Sequence, residues 1–143
     1  MAREKVGRSR EELLGFARQR IADMIDFDPE CAEVAPFVFR LLDQIVLDGQ
    51  PLPQPTYNEG AIEVNWLVND WYITLIVIGE EPDEDGDDGW ILWAEGPDQE
   101  ELFDAAGGPE ELIPREQLRW THNLLASMGD QIRGYEMWDI WKT

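Results

Sequence analysis

The chain has 143 residues, 43% of them hydrophobic, and a formal net charge of −20. That length suits one domain around one core, and that composition excludes global disorder. A single cysteine excludes an internal disulfide, the run Ile73 to Ile78 is too short to cross a bilayer, and Met1-Ala2-Arg3-Glu4-Lys5 opens no secretory signal.

These features lead to the expectation of a cytoplasmic protein, in its own cell or in a host cell. The charge is uneven. Residues 1–20 hold six bases against three acids, whereas residues 21–143 hold five bases against 28 acids. Between Arg40 and Arg115 there are 19 acids and no Lys or Arg. Such a surface repels nucleic acid phosphates and anionic lipid, and attracts basic surfaces. Excess Asp and Glu also confers solubility by itself.

Residues 1–9 are expected to be flexible within a single domain spanning 1–143. Ser9-Arg10-Glu11-Glu12 is a capping box, and Leu13, Ala17, Ile21 and Met24 recur at helical spacing. A first helix is therefore expected over about 10–26, ended by Phe27-Asp28-Pro29. A second is expected from Ala35 to Leu47, or starting earlier. Pro36 would then lie in its first turn, Val38, Leu41, Leu42 and Ile45 on its apolar stripe, and Gly49 after its end. The two helices should pack antiparallel.

Pro51-Leu52-Pro53-Gln54-Pro55 reads as an extended connector, unsuited to a central strand. Two alternating apolar runs follow, residues 60–68 and 71–79, joined by Asn69-Asp70. Those two residues suit a hairpin turn with positive φ at both positions. The register then follows: Trp66 faces Ile73, Val64 faces Leu75 and Ile62 faces Val77, on one apolar side. Glu63 with Ile76, Asn65 with Thr74 and Leu67 with Tyr72 make a mixed opposite side. An acidic loop from Glu80 to Asp88 leads to a third strand, Trp90 to Ala94. Residues 97–105 look like a short helix with Pro97 at its first position. Gly107-Gly108-Pro109 breaks it. Pro114 opens a longer helix carrying Leu118, Leu125 and Met128, and Gly129 or Gly134 ends or bends it. Tyr135, Trp138 and Trp141 give an aromatic terminus that either docks on the sheet or anchors a partner. The fold class expected is α+β: two N-terminal helices, a small antiparallel meander of three or four strands, and C-terminal helices packed on one face.

Catalytic chemistry is hard to find. His122 is the only histidine, so multi-histidine metal sites are excluded. It shares a helix face with Leu118 and Leu125, the place of a half-buried structural residue. Cys31 lies between Glu30 and Glu33, whose charges oppose a thiolate. No phosphate-binding loop or dinucleotide fingerprint exists. The run Asp83-Glu84-Asp85-Gly86-Asp87-Asp88-Gly89 fails as an EF-hand. Asp88 stands where glycine is needed, Ala94 where glutamate is needed, and strands flank the loop. No catalytic residue, metal site or cofactor is assigned.

The expectation is a small acidic protein that binds and neutralises a basic partner, such as a nuclease or another nucleic-acid-binding protein. Immunity proteins, antitoxins, anti-CRISPR proteins and other DNA mimics follow the same logic, by analogy of charge alone. The partner-binding residues would be Glu80, Glu81, Asp83, Glu84, Asp85, Asp87, Asp88, Asp98, Glu100 and Glu101, with Trp90 or Trp93 as the anchor. Two other readings stand beside it. One is an accessory or structural subunit whose acidity confers only solubility. The other is a carboxylate-based metal-dependent enzyme.

Overall fold

The computed structural model describes residues 8–58, 60–78, 89–108 and 111–132. Helix α1 runs Arg10–Phe27. Ser9 caps it by accepting from the Glu12 amide at 3.2 Å, while Glu12 accepts from the Ser9 hydroxyl at 3.3 Å. Leu13, Ala17 and Ile21 are buried on its inner side, as their spacing requires.

Helix α2 runs Cys31–Ile45, four residues earlier at its start than Ala35. The turn at Asp28-Pro29-Glu30 explains this, because its carbonyls already accept from the amides of Cys31, Ala32 and Glu33. Pro36 therefore lies inside the helix, where it leaves the carbonyl four residues back without its usual donor. Val38, Leu41, Leu42 and Ile45 are all buried. The start of α1 meets the end of α2, so the pair is antiparallel. Arg10 Nε donates to the Val46 carbonyl at 3.1 Å and its Nη2 to the Asp43 carbonyl at 3.1 Å. The Gly49 amide donates to the Arg8 carbonyl at 2.9 Å. Gly49, at φ 81°, adopts the left-handed conformation expected of it.

Five strands form one antiparallel meander in the order β1-β2-β3-β4-β5. They are β1 (Gln54–Asn58), β2 (Ala61–Val68), β3 (Trp71–Ile78), β4 (Gly89–Glu95) and β5 (Glu101–Gly107). The register of β2 and β3 is the expected one, with Trp66 opposite Ile73, Val64 opposite Leu75 and Ile62 opposite Val77. All six of these side chains are fully buried. Of the two turn residues only Asn69 has positive φ, at 53°. Strand β1 adds to the meander the tail of the proline-rich connector. Pro55 pairs with Val64 there, which an edge strand tolerates because its outer side needs no donor.

Residues 97–105 are not a helix. Pro97–Gln99 is a single 3₁₀ turn, and Asp98 and Gln99 lie at φ 63° and 61°, a conformation that ends any helix. The chain then pairs along β4 as β5 and buries Phe103, whose ring centroid lies 5.9 Å from that of Trp120. Ladder hydrogen bonds and this burial outweigh the local helical preference.

Helix α3 (Arg115–Ile132) buries Leu124, Leu125 and Met128, leaves Leu118 half-buried, and continues through Gly129. Helices α2 and α3 pack on the inner face of the sheet and α1 packs beside β1. The α+β class with helices on one face is thus observed. The single described C-terminal helix covers the meander with α2, and Gly134 and the aromatic terminus lie outside the described residues.

Candidate partner-binding surface

The inner face is closed by hydrocarbon, so recognition chemistry belongs on the outer face, the edges and the corners. Strand alternation decides which side chain goes where. On β4, Trp90, Leu92 and Ala94 point inward and are buried, while Ile91, Trp93 and Glu95 point outward.

This removes Trp90 as an anchor. Its indole is 1% exposed and its Nε1 donates to the Glu111 carbonyl at 2.8 Å. It also lies flat against Gly107, where an added Cβ would come within 2.5 Å of the ring. Trp90 is a structural fastener between β4 and the segment leading to α3. Trp93 is the one of the two that faces outward. It is half-buried on the outer face, and its Nε1 donates to the Tyr72 hydroxyl at 3.3 Å.

The outer face has an apolar centre and an acidic rim. Thr74 sits at the centre, 1% exposed, with its hydroxyl donating to Asn65 Oδ1 at 2.8 Å. Around it stand Trp93, Tyr72, Ile76, Leu67 and Ile91, the last two exposed at 62% and 39%. Glu63 lies opposite Ile76, Glu95 opposite Tyr72 and Asp104 opposite Trp93. No base lies on any of the five strands. The sequence placed Tyr72 and Leu67 on this side but named neither them nor Ile91 as a binding residue. Their signal was the alternation itself, which puts apolar side chains on the side away from the core.

Ile78 and Gly89, which bracket the segment holding Glu80 to Asp88, pair at one end of β3 and β4. Asp98, Glu100 and Glu101 are exposed at the opposite end, where β4 turns into β5. Glu80, Glu81, Asp83, Glu84, Asp85, Asp87 and Asp88 themselves lie outside the described residues.

The chemically reactive side chains are occupied or shielded. His122 Nε2 lies 2.7 Å from the Gln44 carbonyl, an acceptor, so this nitrogen carries the proton and ties α3 to α2. Cys31 is fully buried, and its thiol pKa is raised by burial first, then by the charges of Asp28 and Glu30. Among the described residues no group of three His, Cys, Asp or Glu is placed to hold a metal ion. No helix among them is long and apolar enough to cross a membrane. Comparison with protein-family models, with curated proteins and with solved structures finds no match for this chain.

Proposed function

We propose that the protein binds and neutralises a basic protein partner, in the manner of a nucleic-acid mimic, with the outer sheet face as its docking surface. The observation that carries this reading is the outer face itself. An aromatic and aliphatic centre offers area for an anchor, and its acidic rim lies within a span of chain that contains no base between Arg40 and Arg115. A surface needed only for solubility gains nothing from leaving Leu67 at 62% exposure beside Trp93 and Tyr72.

The test is capture from a lysate of the native host at two salt concentrations. It uses the wild type, a variant with Asp83, Glu84, Asp85, Asp87 and Asp88 changed to Asn or Gln, and Trp93→Ala. The wild type should retain a basic, nucleic-acid-binding protein at low salt and lose it as the Debye length shrinks from about 10 Å at 0.1 M to about 3 Å at 1 M. The five-site variant should bind with a slower on-rate, and Trp93→Ala with a faster off-rate. Equal capture by all three proteins at both salts would sink the proposal and favour an accessory subunit.

A further inference from the structure

Of the C-terminal ends of α1 and α2, one is neutralised and one is not. The C-terminal end of α2 receives Arg10, whose guanidinium donates to the Asp43 and Val46 carbonyls and pairs with the Asp43 carboxylate at 3.4 Å. A cation there offsets the negative end of the helix dipole. Helix α1 ends without such a cation. Its last turn holds no base, and Asp23, Asp26 and Asp28 stand at or beside the end. Acids in that position work against the dipole.

An open cleft of about 450 Å³ lies at this same end, between the last turns of α1, its C-cap Asp28 and Tyr57 of β1. It is lined by Met24, Phe27 and Tyr57, by Asp23 and Asp28, and by Arg20. Phe27 is 93% exposed, the extreme value among the exposed large hydrophobic residues. The Tyr57 hydroxyl donates to Glu30 Oε2 at 3.3 Å, which brings a third carboxylate to the cleft. The negative field is felt locally: burial, Asp28 and Glu30 all hold the Tyr57 phenol above its ordinary value. Arg20 does not cancel this field at contact distance. Among the described residues the ion pairs are Arg10–Asp43 and Arg18–Asp43, and the Arg20 side chain takes part in neither.

We infer that this cleft is a seat for an arginine side chain of a protein partner. A guanidinium fits it on three counts. It stacks on aromatic rings such as those of Phe27 and Tyr57. Its five donors match the carboxylates of Asp23 and Asp28. Its charge supplies at α1 what Arg10 supplies at α2. The inference takes the source of the arginine from the proposed basic partner, but the seat is away from the outer sheet face and can be tested with no partner present.

The experiment is an NMR titration of the full ¹⁵N-labelled chain with N-acetyl-arginine-methylamide at constant ionic strength. The citrulline analogue, the same shape without the charge, is the control. Saturable shifts should centre on the amides of residues 23–31 and 57, with a Kd on the order of 1–10 mM for so exposed a site. Citrulline should give no saturable shift. Phe27→Ala, at a position that contributes little to the core, should weaken binding about threefold, and Asp23→Asn about as much. Linear shifts, equal shifts with citrulline, shifts spread over every acidic segment, or wild-type affinity in both variants would each overturn the seat. A failed titration leaves the salt-dependent capture experiment unaffected, and a failed capture leaves the titration to be judged by itself.

Discussion

Glycine 107 illustrates how a side chain on one strand dictates the residue on the next. Trp90 lays its indole over this position because its Nε1 must reach the Glu111 carbonyl. Any Cβ at 107 would meet three ring atoms at 2.5–2.6 Å, a distance that forces the indole or the strand to move. Gly15 is the natural contrast, since nothing lies within 4 Å of the Cβ it lacks and it sits on the exposed side of α1. Gly107→Ala should therefore cost about 1–3 kcal/mol in urea unfolding. Gly15→Ala should add about 0.5–1 kcal/mol, the usual gain in a helix interior. Equal effects at the two sites would show that the Trp90 contact is not what selects glycine at 107.

At the scale of elements, Gln44 joins what the chain order keeps apart. Its Nε2 donates to the Ile113 carbonyl at 3.3 Å, and its Oε1 accepts from the Ile113 amide at 2.8 Å. Its own backbone carbonyl accepts from His122. One residue of α2 thus fixes both the segment before α3 and α3 itself. Gln44→Ala strands two polar groups of Ile113, which is 4% exposed, and should destabilise the fold by about 1–3 kcal/mol. The Ile113 amide should exchange with deuterium faster by a matching factor. Unchanged exchange at Ile113 would show that water replaces the side chain without loss. The same scale explains what sequence could anticipate. The β2–β3 hairpin was legible because its alternation and its two-residue turn lie within one short stretch. Helix α1 was legible because its cap and its stripe are local. Strand β5 was not, because Pro97-Asp98-Gln99-Glu100-Glu101 resembles a helix start and only pairing with β4 makes the following residues extended.

Across the whole molecule, charge dominates. With a net charge of −20, the compact state brings like charges together. Screening should relieve this, so the melting temperature should rise by about 3 °C or more between about 20 mM and about 0.5 M NaCl. A fall over that range would mean that attractive pairs such as Arg10–Asp43 outweigh the repulsion. Composition by itself determined the charge, excluded a metal site built on several histidines and set a length suited to one core. Local pattern determined the caps, the hairpin register and the apolar stripes, since each depends on neighbours a few residues away. The tertiary structure decided the rest. Sequence could place Trp90 and Trp93 on opposite faces of one strand but not choose between the faces, because a shift of one residue across the long β3–β4 connection exchanges them. The register of β4 against β3 sets that choice, with Trp90 opposite the buried Val77. The meeting of α1 and β1 likewise creates a cleft around Phe27 that no single segment encodes.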